Sequence, residues 1–369
     1  MKEIPTEVVQ YAGYIFSLLE NTNDNNPLKT AYKKQNQYFC DFLDTMIHLH
    51  KLLSEKECES IMVDKLQLSR TTYDENQYYE AATELSVICL FSCIGHSDFK
   101  YEAVVKDKTK KQPECFVKSL LGGTFCAEAK CPVQPSNNMQ KQNTIVFNST
   151  GRANSREEQN ILINNMQEGL ASQNVQIEIA KNDDNKMLDY LQSASLKFAD
   201  TTGDCELNLL FVALDSLKQI QDWVNFFYNN KGFFTSNSFA ADKPYCYADR
   251  PKNTVFVDSK FKNVHFVIFT NNFFRHKNNE VIKGSAWRLQ DGFNFALQNP
   301  FSDLAPKKPV ITEFFTNYLV VYTKDIDNYT VPSSTEVPNY ILDAMKIISF
   351  VKEELEKKQK KFYWEREKK

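Results

Sequence analysis

Glycine and proline are scarce in this chain of 369 residues, 10 and 12 respectively, and neither recurs at a fixed spacing. That composition argues against disorder and against collagen-like or repeat architectures. No apolar run approaches the ~20 residues that a helix needs to cross a membrane. Nine cysteines are present, yet none forms a Cys-x-x-Cys pair. Their count is odd, and the segment Met1–Gln10 mixes charges around Pro5 rather than forming a secretory leader. Free, buried thiols in a reducing, cytoplasmic compartment are therefore expected. Also missing are Gly-x-Ser-x-Gly, the phosphate loop Gly-x-x-x-x-Gly-Lys-Ser/Thr, Gly-x-Gly-x-x-Gly and His-Glu-x-x-His. Their absence removes the common competing enzyme classes.

What is there is the composition of a soluble globular protein, 42% hydrophobic and 25% charged. A net charge of -3 provides no global field for nucleic acid, so any such binding must use local patches. Helical periodicity runs through residues 1–73, over Glu7–Leu19 and again from Tyr38 to Leu52, and marks an N-terminal helical section. His48 and His50 in that section are two apart, which on a helix places them on different faces and disfavours a metal role. A strong helix over Asp74–Ile94 follows, with Asp74 or Asn76 as its cap. On it Ala81, Glu84, Ile88 and Phe91 share one stripe, so Glu84 interrupts an apolar face and Glu80 lies near its edge.

Three strands are expected next, over Phe99–Val105, Cys115–Leu121 and Thr124–Cys131, the last two joined by the turn Gly122-Gly123. Residues 131–155 read as a long polar loop, followed by a helix over 155–173, a strand at Val175–Ile179 and a helix over Asn185–Phe198. The almost continuous apolar run Leu207–Leu214 has the character of a central strand covered on both faces. A helix over 217–228, a buried strand over Val264–Phe269 containing His265, a helix and then a strand within Val310–Tyr322, and a closing helix over 337–369 complete the pattern. Strands alternating with helices indicate an α/β fold, a central mixed β-sheet flanked by helices. The expected division is an N-terminal section 1–73, a core 74–275 and a C-terminal extension 276–369 that ends in a charged helix.

The chemistry concentrates between Tyr79 and Pro132. Glu128 and Lys130 sit two apart on a strand and so point to one face. Pro113-Glu114 opens the strand before it, with thirteen residues between the two glutamates. An isolated Glu-x-Lys is commonly an exposed salt bridge. Its coincidence with an apolar strand, with Glu114 and with Glu84 on a buried helix face is what calls for a function.

Pro113-Glu114 followed by Glu128-Ala129-Lys130 resembles the signature of the PD-(D/E)XK, or restriction-endonuclease-like, nuclease superfamily. The order of elements from Tyr79 to Leu214 is similar to that family's core: an acid-bearing helix, a three-stranded meander, a helix and a further strand. Glu114 stands where the family more often has Asp. The resemblance implies a Mg²⁺-dependent endonuclease, with Mn²⁺ able to substitute, in which Glu84, Glu114 and Glu128 and the Ala129 carbonyl hold the metal. Lys130 would then orient or deprotonate the attacking water. Hard cations suit this donor set of carboxylate and carbonyl oxygens.

DNA is the expected substrate ahead of RNA. Lys106, Lys108, Lys110 and Lys111 on a hairpin tip offer a basic patch for phosphates, although a lysine-rich solvated turn has the same composition. Arg275-His276-Lys277, just beyond a central strand, and the aromatics near Phe233 and Phe293 are further places for phosphate or base contacts. Restriction or anti-phage defence, with a homodimer or partner protein meeting the N-terminal or C-terminal helices, fits a stand-alone core of this kind. The competing reading is a catalytically inactive, nuclease-like nucleic-acid-binding or scaffold protein.

Overall fold

A computed structural model describes residues 5–95, 98–102, 112–132, 144–147, 161, 164–165, 167–169, 176–179, 183–198, 206–214, 261–282, 284–299, 302 and 308–319. Four short helices open the chain, and their ends are set by local side chains. Helix α1 (Thr6–Glu20) buries Tyr11, Ile15 and Leu19, four residues apart on one stripe. Helix α2 (Pro27–Lys34) starts with Pro at its first position, and the Asn26 side chain accepts from the Leu28 amide. Helix α3 (Gln37–His50) is capped by Asn36 in the same manner. Helix α4 (Glu55–Glu59) begins in a capping box between Ser54 and Glu57. It continues as a π-helical turn, Ser60–Lys65, that sets Lys65 at its end.

Helix α5 (Glu75–Ser92), capped by Asp74, is buried on nearly every side, including Tyr78, Ala82, Leu85, Val87, Ile88 and Phe91. A helix apolar all round is a central one, and α5 packs on the sheet, on α3 and on the short helix that follows the sheet's fifth strand. The buried apolar cluster around it runs from Tyr11 to Leu319.

The six-stranded mixed sheet contains β1 (Lys100–Tyr101), β2 (Cys115–Lys118), β3 (Thr124–Lys130), β6 (Glu206–Ala213), β7 (Phe266–Thr270) and β8 (Asn294–Gln298), in that spatial order. The meander β1–β2–β3 is antiparallel, β3–β6 and β6–β7 are parallel, and β8 closes antiparallel to β7. A separate parallel pair joins β4 (Thr144–Phe147) to β5 (Gln176–Ile179). Helix α6 (Asp183–Lys197) precedes β6, α7 (Asn272–Lys277) follows β7, and α8 (Lys308–Asn317) lies on β6.

Strand alternation sorts the side chains into two faces. Phe125, Ala127 and Ala129 join Leu209, Phe211 and Ile268 in the cluster around α5. Cys126, Glu128 and Lys130 take the opposite face, where Lys197 of α6 reaches Glu128. The β2–β3 turn needs its two glycines for different reasons. Gly122 has a φ of +98°, and a Cβ on Gly123 would stand 2.7–2.9 Å from Glu313, Phe125 and Val310.

Several expectations are revised. The loop expected over 131–155 contains β4, whose partner β5 lies about thirty residues on, too far for a local pattern to reveal. His265 lies one residue ahead of β7, and of the strand expected over Phe99–Val105 only Lys100–Tyr101 is described as strand. Cys40 and Cys93 are exposed, so the thiols are not uniformly buried. Arg275 and His276 belong to α7 and are buried at 6% and 0% exposure, which rules them out as surface phosphate contacts. Phe293 is likewise buried rather than free to stack a base. The lysine hairpin 106–111, the helices over 217–228 and 337–369, and Phe233 lie outside the described residues.

His276 ties α3, α5 and α7 together through a chain of hydrogen bonds that is satisfied throughout when its imidazole carries the proton on Nε2. The Ser86 hydroxyl has one proton and donates it to the carbonyl of Ala82 at 3.0 Å or Ala286 at 3.2 Å. His276 Nε2–H must then donate to Ser86 Oγ at 3.0 Å. Neutral His276 accepts at Nδ1 from the Tyr38 hydroxyl at 2.9 Å, and Tyr38 accepts from Tyr78 at 2.9 Å. Trp287 packs edge-on against the imidazole and donates from Nε1 to the Tyr38 carbonyl at 3.0 Å.

Burial, helped by neighbouring Arg275, pushes His276 down to about 3. The native state thus binds fewer protons than the unfolded chain between about pH 3 and the ordinary imidazole value of 6.5. The contribution is complete above pH 6.5 and is lost as pH falls. Denaturant unfolding at pH 7.5 and 4.5 is expected to show a loss of about 2–3 kcal/mol attributable to this residue. In His276→Gln that increment disappears and stability at pH 7.5 is lower.

Candidate metal centre

The acids singled out by sequence meet at the edge of the meander. Cys115 pairs with Ala127 in the antiparallel register, so one further step sets Glu114 beside Glu128 on the neighbouring strand. Glu114 retains 9% exposure and Glu128 none. Helix α5 brings Glu84 to the same place from the other side, and Glu80, one turn earlier and exposed, lies within reach of the Lys130 charge.

Two further elements supply cations. The Lys65 ammonium donates a hydrogen bond to Glu84, lies 3.1 Å from Glu102 Oε1 and 3.9 Å from Glu114 Oε2, and sits over the Tyr101 ring at 5.2 Å. Lys197, at the end of α6, lies 3.6 Å from Glu114 Oε1 and 2.6 Å from Glu128 Oε1. Lys130 Nζ is also 2.6 Å from Glu128 Oε1. Glu114 therefore turns one oxygen toward Lys65 and the other toward Lys197. Glu128 Oε1 serves two ammonium groups, and its buried Oε2 has no hydrogen-bond partner among the described residues.

Glu84, Glu102 and Glu114 can bring one carboxylate oxygen each to within 4.8 Å of the others, which no other group of acids, histidines or cysteines does among the described residues. Glu102 is held there by its backbone. Its amide donates to the Glu114 carbonyl at 3.1 Å, and its φ of 45° lies in the left-handed region that non-glycine residues seldom occupy. That strain, next to a cluster of like charges, is characteristic of functional sites.

The electrostatics follow from four carboxyls facing three ammoniums. Burial and the neighbouring Glu114 charge raise Glu84 well above the ordinary carboxylate range. Burial alone would also raise Glu114, but a hydrogen bond from Glu84 and the charges of Lys65 and Lys197 outweigh it and hold Glu114 low. Glu84 and Glu114 thus share a proton, Glu84 being the holder. Burial raises Glu128, with Lys130 and Lys197 opposing. Burial would lower Lys130, yet Glu128 prevails and keeps it an ammonium. Lys130 in this state is a hydrogen-bond donor.

Of the residues expected from sequence, Glu84 and Glu114 converge with Glu102, while Glu128 stands outside that trio, beside Glu114 and paired with Lys130, with Ala129 between the last two on β3. Lys106, Lys108, Lys110 and Lys111 lie outside the described residues. Lys65, Glu102 and Lys197 were not anticipated. Lys197 looks like an ordinary basic residue in a last helical turn. Lys65 carries no local signal, because only the packing of the π-helical turn on α5 brings it in, and Glu102 enters through the β1–β2 pairing that sets its amide on the Glu114 carbonyl. Comparison with protein-family models, with curated proteins and with solved structures gave no match.

The shared proton has a measurable consequence. Folded Glu84 holds its proton to about pH 8, whereas the unfolded chain loses it near 4.5. The native state then binds more protons across that window, so this group's contribution to stability falls as pH rises through it. Glu84→Gln is expected to flatten this descent in melting temperatures measured between pH 5 and 8.5. An unchanged slope would mean that Glu84 is ionised throughout.

Proposed function

We propose that the chain is a metal-dependent nuclease of the PD-(D/E)XK type that hydrolyses phosphodiester bonds, with DNA as its first substrate and RNA second. One observation carries the reading: Glu128, fully buried beside Glu114, keeps a carboxylate oxygen with no hydrogen-bond partner among the described residues. A buried anion with spare coordinating capacity suits a divalent cation, and Mg²⁺ or Mn²⁺ matches its hard oxygen chemistry. Support also comes from the element order, an acid-bearing α5, the β1–β3 meander and then α6 leading to β6 parallel to β3.

In this reading Glu114 and Glu128 hold the metal with the Ala129 carbonyl, and Glu84 and Glu102 complete the donor set. When bound, the ion supplies Lewis acidity toward the phosphate and a more acidic water. The chain's own residues do the rest. Glu84 releases its proton to become a full ligand. Lys130 and Lys197 share Glu128 Oε1 before loading, and are then positioned to donate to a phosphate oxygen and to orient the water. Lys130 acts as a hydrogen-bond donor rather than a base. A role in restriction or phage defence, and a homodimer or partner at the helical surfaces, belong to this proposal as its biological setting.

The second reading, a nuclease-like scaffold without catalysis, is favoured by the pairing of every lysine in the cluster with an acid. Cleavage of supercoiled plasmid and of RNA, with Mg²⁺, Mn²⁺ or EDTA, separates the two. The nuclease reading expects metal-dependent cutting that falls by at least ~100-fold in Lys130→Ala and Glu128→Ala. Cutting retained in both variants would overturn the site. A metal-induced rise in melting temperature, lost in Glu114→Ala, checks ion binding when a natural activator is absent from the assay.

A further inference from the structure

Far from the acidic cluster, the last turn of α5 and helix α3 bring together two cysteines and a histidine. Cys93 is exposed, Cys89 is half-buried one turn earlier, and His48 reaches across from α3. His48 Nε2 lies 3.8 Å from Cys93 Sγ and 3.0 Å from Ser92 Oγ.

The Ser92 hydroxyl donates to the Cys89 carbonyl at 2.8 Å. In the tautomer protonated on Nε2, His48 donates toward Ser92 Oγ, and the same N–H faces the Cys93 sulfur. A thiolate accepts there better than a thiol does. The carbonyl end of α5 works against a negative charge at this position, so stabilisation must come from the side chains.

We propose that Cys93 is a reactive-thiol site, served by the His48 imidazole beside it, that exchanges with small-molecule disulfides. The thiolate attacks one sulfur of the disulfide, a new bond forms between Cys93 Sγ and that sulfur, and the original sulfur–sulfur bond breaks. The other half leaves as thiolate and is protonated by solvent. Cys93 is oxidised to a mixed disulfide and the leaving half is reduced, so no further reagent is needed.

The titratable groups here support the chemistry. Cys89 and His48 hold the Cys93 thiol well below its usual range. Cys93 and burial raise Cys89, which remains a thiol, while Thr45 and Arg288 oppose that rise. Accessible thiols lowered by a cationic or imidazole neighbour are the reactive ones.

The test is the rate of labelling by iodoacetamide, and of mixed-disulfide formation with hydroxyethyl disulfide, read cysteine by cysteine by peptide mass spectrometry between pH 5.5 and 9. Cys40, also exposed, is the internal comparator. At pH 6 Cys93 is expected to react at least ten times faster than Cys40. In His48→Gln its rate at pH 6 falls at least fivefold, while the two proteins converge near pH 9. Cys93→Ser removes the adduct. Equal rates for Cys93 and Cys40 at pH 6, or no change in His48→Gln, would overturn the proposal, and the wild-type comparison stands even if that variant folds poorly. Neither result bears on the nuclease reading.

Discussion

A carboxylate cannot be buried in a sheet without compensation, and Glu128 is the group on which the surrounding structure turns. Its side chain has no solvent exposure, and isolating such a charge costs several kcal/mol even after relaxation. Lys130 answers from its own strand and Lys197 from α6, both on the same oxygen. The arrangement explains why α6 must end where it does, and why Glu114 can approach as a second negative charge. The other carboxylate oxygen has no hydrogen-bond partner among the described residues.

The N-terminal helices take part in this construction. The π-helical turn ending in Lys65 brings a third ammonium to Glu84, Glu102 and Glu114. Tyr38 and the Trp287–His276 pair lock α3 to α5 and α7 through buried hydrogen bonds. Helix α5 therefore carries three assignments along its length: the Tyr78 and Ser86 links of the lock, the acid Glu84, and the Cys89–Cys93 turn against His48.

Much of the framework was legible because periodic burial writes itself into sequence. The apolar run at 207–214 appears as β6, and the stripe containing Glu84 belongs to α5. Glu114, Glu128 and Lys130 could be grouped because strand alternation and a short turn determine which side chains share an edge. Lys65, Glu102 and Lys197 were invisible for the opposite reason: each arrives by tertiary packing across 19 to 69 residues of chain. His276 misled for a related cause. A histidine between an arginine and a lysine reads as surface, and only its partners Tyr38 and Ser86 make a neutral, buried imidazole stable there.

The central claim is that these carboxylates form a divalent-cation site. Mn²⁺ binding followed by the electron paramagnetic resonance signal of the free ion tests it without any substrate. The account predicts that the native protein takes up Mn²⁺ at sub-millimolar concentration, that Mg²⁺ displaces it, and that Glu114→Gln and Glu128→Gln each abolish uptake. No uptake by the native protein, or uptake undiminished in both variants, would contradict it.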